Sequence, residues 1–277
     1  MIMKSIDIII PVHKYNEEIE SLLKRCLTSV NEMADKGKSF NILTNVLLIQ
    51  APETPVITIE YFIETPIAFN EFGCYENKTG NYDFSSQVNY AVNNLCQSDY
   101  FMVVEFDDIV TPKWLNMALP YIESRPKCPV FLPLVEVYDI ENQSKPLYYM
   151  NEISWSSSFA ENELGSLSKT VLQDYCNFNT TGAIFRRNEF IKAGGFKPSI
   201  KLSFGYELLL RLAHLYNEVY VVPKVGYFHF VNRKDSLTSE YHETMTQEEG
   251  YWWINLAIEE FQYKKDRKKT YIPKEDK

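Results

Sequence analysis

Residues 6–50 change their hydrophobic period twice, and that alternation narrows the fold more than any other feature of the chain. Ile6-Asp7-Ile8-Ile9-Ile10-Pro11 is a short, nearly continuous apolar run closed by proline, the pattern of a buried strand. Ile19, Leu22, Leu23, Cys26, Leu27 and Val30 then recur three and four residues apart, one stripe of an amphipathic helix. Val46-Leu47-Leu48-Ile49 returns to a strand-length apolar run, within a strand predicted over residues 45–50. Strand, helix, strand at this spacing is a βαβ unit. It predicts an α/β fold: a mostly parallel sheet flanked by helices.

The rest of the chain extends this pattern. Val56 to Phe62 reads as a third strand, and Asn77 to Asp83 as a polar turn. Ser85 or Ser86 can cap a helix that faces inward through Val88, Val92 and Leu95. Phe101-Met102-Val103-Val104 is another buried strand, and Thr111-Pro112 reads as a helix start. Residues 130–138 and 147–150 are expected as an antiparallel pair, and residues 151–178 as a mobile polar loop over the cleft. A short strand is expected at 183–185, a helix over 203–216, strands at 219–222 and 225–230, and a helix over 243–263. Residues 1–240 thus form the main domain, and residues 241–277 a C-terminal helix with a charged tail that includes Lys264, Lys265, Arg267, Lys268 and Lys269. Trp252 and Trp253 on that helix suit either a core or an interface, which leaves a homodimer open.

Composition removes several function classes. A net charge of −9 disfavours bulk nucleic-acid binding. The 10 glycines form neither a dinucleotide-binding fingerprint nor a phosphate-binding P-loop. Five cysteines, odd in number and with no C-x-x-C pair, argue against a zinc site or a disulfide scaffold and suggest a reducing, cytoplasmic compartment. No apolar run is long enough for a transmembrane segment, and none is read as a signal peptide.

The chemistry concentrates where the Phe101–Val104 strand gives out. Glu105-Phe106-Asp107-Asp108 sets three carboxylates at the strand's end, with Glu105 and Asp107 on the same side by alternation. Open α/β sheets bind ligands at the carboxyl ends of their strands. Hard oxygen ligands there suit Mn²⁺ or Mg²⁺, and such a cation could bridge to a diphosphate. A solvated acidic turn before a helix is the alternative, since carboxylates favour a helix N-terminus in any case.

From about residue 4 to residue 240 the chain resembles the family 2 glycosyltransferases of the GT-A fold. Ile8-Ile9-Ile10-Pro11-Val12-His13 resembles the family's opening strand, whose end lies beside the nucleotide base. Asn77 to Gly80, followed by Ser85 to Ala91 with Asn89, resembles its next segment. Glu105-Phe106-Asp107-Asp108 through Leu115 stands at its aspartate-x-aspartate metal motif. Thr181-Gly182-Ala183-Ile184-Phe185-Arg186-Arg187 with Gly194-Gly195-Phe196 resembles its acceptor-side segment, and Tyr227 to Thr238 its closing segment. The resemblance implies transfer, with inversion, from a nucleotide sugar, UDP-linked, to a glycan or other hydroxyl acceptor. It implies a cation on Glu105 and Asp107, donor contacts from Pro11, His13, Asn89, Glu105 and Asp107, and acceptor contacts from Thr181 and Gly182.

Three departures accompany these matches. The first metal-motif aspartate is Glu105. The strand-end aspartate that contacts the base is replaced, with Gln50 the nearest polar residue. The Glu-Asp pair carrying the family's general base is Phe204-Gly205. Glu207 is the closest carboxylate to that position and the candidate base, unless it serves as an i,i+4 partner of Arg211. Asp174 is a more distant candidate. His229 falls where the family often has a metal-assisting histidine, and a satisfied core or rim histidine is the other reading. The missing pair also leaves room for a transferase-like module that binds without turnover.

Overall fold

The computed structural model describes residues 3–260 except 53, 56, 154–163, 175, 201, 235, 237–238 and 240–243. Strand β1 (Ser5–Val12), helix α1 (Glu17–Lys38) and strand β2 (Leu43–Gln50) form the expected βαβ unit, with β1 and β2 parallel from Ser5↔Leu43 to Val12↔Gln50. Asn16 caps α1 by accepting a hydrogen bond from the Ile19 amide at 2.9 Å. Acids fill the helix's first turn, and Lys36 and Lys38 its last, each matching the local end of the helix dipole. Alternate residues of β1 enter opposite cores. Ile6, Ile8, Ile10 and Val12 pack on one side of the sheet and Ile9 on the other, so nearly the whole run is apolar.

The third parallel strand is not at residues 56–62. The described part of that stretch contains a one-turn helix, α2 (Ile59–Phe62), and the strand is β3 (Glu71–Glu76), paired with β2. Ile59, Phe62 and Ile63 are spaced three and four apart and bury together, which is a helical pattern inside an apolar run. After β3, Asp83 caps α3 (Phe84–Asn94) by accepting from the Ser86 amide at 2.9 Å, so the cap lies just before the two serines. Strand β4 (Tyr100–Val103) then joins β1 on the side away from β2, also parallel.

The sheet continues with β5 (Ile109–Val110), β6 (Val130–Asp139), β7 (Tyr148–Met150), β8 (Ser166–Leu167), β9 (Ile184–Arg186) and β10 (Val219–Val231). Its main path runs β3-β2-β1-β4-β9-β6-β10-β5, with β7 on β6 and β8 on β10. The first four strands are mutually parallel, β9 is antiparallel to both its neighbours, and β6 is parallel to β10. The β6–β7 pair is antiparallel, as its pattern predicts. The two strands expected at 219–230 are one bent strand, β10, whose register shifts around Val225.

Helices α4 (Trp114–Ser124), α5 (Lys169–Asp174), α6 (Arg187–Lys192) and α7 (Phe204–Tyr216) cover the sheet, and α8 (Gln247–Glu260) lies over α7. Thr111 does not cap α4; its hydroxyl goes to the Val225 carbonyl at 3.3 Å. The region expected as a loop over 151–178 includes β8 and α5, and its residues 154–163 lie outside those described. The expected tail at 264–277 also lies outside them. Trp252 on α8 is 54% exposed and its ring meets Trp253 edge-on at 4.8 Å. No described helix is long and apolar enough to cross a membrane.

Candidate active site

Strand order reverses between β1 and β4, and a crevice opens at the carboxyl ends of strands on either side of such a point. Here those ends carry Pro11 to His13 and Glu105 to Asp108. The acidic turn is bound from three directions. The Glu105 amide donates to the Tyr227 hydroxyl at 2.9 Å, and the Asp108 amide closes the turn onto the Glu105 carbonyl at 3.0 Å. Arg25 of α1 donates to the Asp107 carbonyl at 2.5 Å, its guanidinium lying 4.0 Å over the Phe230 ring.

Within this turn the three carboxylates separate in role. Asp108 is fully buried, accepting from the Phe230 amide at 2.9 Å and bonding His229 Nδ1 at 2.8 Å. Asp107 accepts from Arg233 Nε at 3.1 Å. Glu105 accepts from the Thr181 hydroxyl at 3.4 Å. The sequence pairs Glu105 with Asp107 as metal ligands. The structure joins Glu105 to Asp108 and His229, with one ligand atom from each lying within 4.8 Å of the others, while Asp107 meets Arg233.

The electrostatics of this cluster are those of crowded acids. Burial, and then the nearby Asp108 and Asp107 charges, push the Glu105 carboxyl above its ordinary range. Burial and Asp108 raise Asp107, with Arg233 opposing. Burial alone would lower the His229 imidazole, but Asp108, Glu105 and Asp107 outweigh it and hold it above its usual value. A divalent cation would relieve the repulsion among these acids, and carboxylates with an imidazole form a donor set that Mn²⁺ or Mg²⁺ can use. With Nδ1 on Asp108, the His229 Nε2 is the nitrogen left for such a ligand, and Asp108 becomes the carboxylate that orients it.

Two cavities meet at this cluster. The smaller, about 290 Å³, is lined by Pro11, His13, Gln87, Phe106, Asp107 and Arg233 among others. The larger, about 970 Å³, is lined by Thr180, Thr181, Phe204, Gly205 and residues of α8. Phe84, Glu105 and His229 line both. His13 sits 5.5 Å from the Phe106 ring, ring centre to ring centre. Burial, with Lys14 and Arg233 nearby, depresses its imidazole to about 4, so the ring facing the smaller cavity is neutral.

The remaining expected residues are placed as follows. Gly182 adopts φ +69°, and a Cβ there would lie 2.5 Å from the Tyr227 ring, so glycine is needed for the approach that brings Thr181 to Glu105. Asn89 commits both amide atoms to the Phe196 backbone, donating to its carbonyl at 2.7 Å and accepting from its amide at 2.9 Å, and it lines neither cavity. Gln50 lines neither cavity. Glu207 is 0% exposed, held by Arg211 at 2.5 and 3.2 Å and by Lys197 at 3.1 Å, and does not line the larger cavity. Asp174 ends α5, and its side chain lies outside the described residues. Tyr227, Arg233 and Arg25, which sequence reasoning did not assign, hold the acidic turn in place. Only a fold that brings residues 25, 105–108 and 227–233 together reveals them.

A sheet parallel over its first four strands, with a crevice at the point where its strand order reverses, is the arrangement of the GT-A fold. The sequence profile described as "Glycosyltransferase like family 2" matches residues 9–276, and the chain belongs to that family. That match runs across the boundary expected at residue 240. No curated protein matches the chain by sequence. Among solved structures it is similar to S. aureus TarS 1-349 in complex with UDP-GlcNAc: TM-score 0.62, 14% identity, 92% of this chain and 65% of that one. Against the longer S. aureus TarS structure the coverage is 92% and 39%, with a TM-score of 0.59 and 14% identity. It is also similar to the mannosyltransferase PcManGT of Pyrobaculum calidifontis in complex with GDP-Man and Mn²⁺: TM-score 0.55, 14% identity, 85% of this chain and 59% of that one. The chain thus spans less than two thirds of the length of these relatives.

Proposed function

We propose that this chain transfers a sugar, with inversion, from a nucleoside diphosphate sugar, UDP-linked, to a hydroxyl of a glycan or other acceptor. The observation that carries this is the meeting of a smaller, partly cationic cavity and a larger one at Glu105 and His229. Pro11, His13 and Phe106 would bound the base, and Arg233, which lines the same cavity, would face the diphosphate. Glu105 and His229, with Asp107 once Arg233 releases it, would hold Mn²⁺ or Mg²⁺. When bound, the cation supplies positive charge to the diphosphate leaving group. Thr181, hydrogen-bonded to Glu105, would fix the acceptor side. That TarS and PcManGT were solved with UDP-GlcNAc and with GDP-Man and Mn²⁺ supports this reading.

Proton removal from the acceptor is the step that the sequence departure changes. Glu207 would have to leave Arg211 and Lys197 to perform it, and the geometry favours a structural role for it. Asp83 and Glu105 are the carboxylates among the described residues lining the larger cavity. Asp83 is exposed, precedes Phe84, and the Phe84 ring lies 5.1 Å from Phe204, where the resembling family has its acid. Asp83 is therefore the proposed base. Asn is as good a helix cap as Asp, so Asp83→Asn keeps α3 while removing the base. UDP release from UDP-sugars in the presence of glycan acceptors should fall by about 10²–10⁴-fold in that variant. Unaltered release would exclude Asp83.

One observation favours a second reading, a module that binds nucleotide sugar without turnover. A Cβ at Gly205 would lie 2.7 Å from Thr180 Oγ1 and 2.9 Å from Asn179 Oδ1, so the space a family acid would need is filled. Donor binding with no transfer to any acceptor in a broad glycan panel would support that reading.

A further inference from the structure

The larger cavity also indicates the class of acceptor, an inference that rests on the reading above of that cavity as the acceptor side. We propose that the acceptor is an uncharged saccharide seated on the Phe84–Phe204 ring pair, in preference to a phosphate- or carboxylate-bearing polymer.

Charge is the first argument. The described residues lining the cavity include no lysine or arginine, and its carboxylates are Asp83 and Glu105. His229, the one basic side chain among them, bonds Asp108. An anionic acceptor would lose hydration beside the Asp83 carboxylate and find no lysine or arginine among the described lining residues, the cation at Glu105 and His229 being engaged by the donor diphosphate in the reading above. The net charge of −9 gives no long-range attraction to offset this.

The second argument is the shape and chemistry of the wall. Phe84 and Phe204 lie 5.1 Å apart at 37°, and each also packs on Phe196, at 5.8 and 5.5 Å. Both are half-buried, so they are fixed from behind while keeping surface toward the cavity. Rigid aromatic walls with a few orienting polar groups are the usual build of a small-molecule site. The apolar C–H face of a pyranose fits such a wall. Polar groups of the same cavity are amides and hydroxyls such as Asn177 and Thr180, which both donate and accept, as a sugar hydroxyl requires. The departure from the family at residue 204 thus exchanges a charge for a ring at the acceptor site.

Ligand-observed saturation-transfer NMR on the full chain tests this, with and without UDP and Mn²⁺. The neutral probes are cellobiose, lactose, maltose and N,N′-diacetylchitobiose; the anionic probes are glucose 6-phosphate, glucuronic acid and ribitol phosphate. At least one neutral probe should bind, with no loss between about 50 and 500 mM NaCl, where screening changes strongly. Phe204→Leu, which keeps apolar volume but removes the ring, should weaken it about three- to tenfold, the size of one aromatic contact. Phe84→Leu should act in the same direction if Phe204→Leu folds poorly. Binding confined to anionic probes and weakened by salt, or no neutral binding at all, would overturn the proposal, as would neutral binding indifferent to both substitutions. Calorimetry with UDP on the wild-type samples reports the donor reading separately, so loss of UDP binding counts against the proposed function and not against this acceptor class.

Discussion

Replacing Glu207 by glutamine distinguishes a structural carboxylate from a catalytic one. Glu207 is 0% exposed and accepts from Arg211 Nη2 at 2.5 Å and Nε at 3.2 Å, with Lys197 Nζ at 3.1 Å. Removing one member of a buried ion pair costs about 3–5 kcal/mol when the partner charge is stranded. Several features soften that loss. Glutamine keeps the volume and one acceptor oxygen, Arg211 keeps the Ala193 carbonyl at 2.5 Å, and Lys197, 29% exposed, can turn to water. The expected loss is about 2–3 kcal/mol. With an unfolding entropy of about 2.1 cal/mol/K per residue, the 277 residues give roughly 0.6 kcal/mol/K, and Tm falls by about 3–5 °C. Thermal unfolding by circular dichroism supplies Tm, and initial UDP-release rates are taken where both proteins are folded. Glu207→Gln should show the lower Tm with turnover within about twofold of wild type. An unchanged Tm with turnover reduced about 10²-fold or more would refute it and make Glu207 the base. Glu207→Gln with Arg211→Met should recover part of the lost stability, because no charge is then stranded.

Further outcomes follow from the same geometry. The folded His13 imidazole, at about 4, lies below its ordinary value near 6.5, so the unfolded chain takes up the proton first; its contribution is full above about pH 6.5 and is lost as pH falls toward 4. Urea unfolding across that window should show the wild type losing about 1–3 kcal/mol more than His13→Gln, and parallel pH curves would contradict this. Gly182→Ala should destabilise by about 1–3 kcal/mol and weaken Mn²⁺ binding, because it strains a φ of +69° and displaces Tyr227, which receives the Glu105 amide; unchanged Tm and affinity would contradict it. Phe204→Glu with Gly205→Asp should lower Tm relative to Phe204→Glu alone without raising transfer, since the Cβ at 205 meets Thr180 and Asn179; a gain in transfer would show that the site can still accept the acid pair.

The parts of the fold legible in the sequence are those whose burial imposes a period. β1 is apolar from Ile8 to Val12 because its residues enter two cores, and α1 carries a stripe because only one of its faces is buried. β3 is an edge strand whose residues are half-buried or exposed, so Glu71–Glu76 carries no alternation to read. The cap at Thr111 fails on a long-range fact, since its hydroxyl is drawn to Val225. The acidic turn was readable as a site because three carboxylates follow a buried strand. Its partners were not, since Asp108 and His229 meet across 121 residues. Glu207 did leave a signal. Leu208, Leu209, Leu210 and Leu212 make α7 apolar on most sides, which marks a buried helix whose single acid must be paired.

In the proposed function, the smaller cavity binds a nucleoside diphosphate through a cation held at the acid–histidine cluster. Isothermal titration of UDP in Mn²⁺ and in excess chelator, on wild type and Glu105→Gln, decides this. UDP should bind with Mn²⁺, lose at least about tenfold in affinity with chelator, and show a similar loss in Glu105→Gln even with Mn²⁺ present. Equal affinity in Mn²⁺ and chelator, or a Glu105→Gln protein that binds as wild type does, would contradict it.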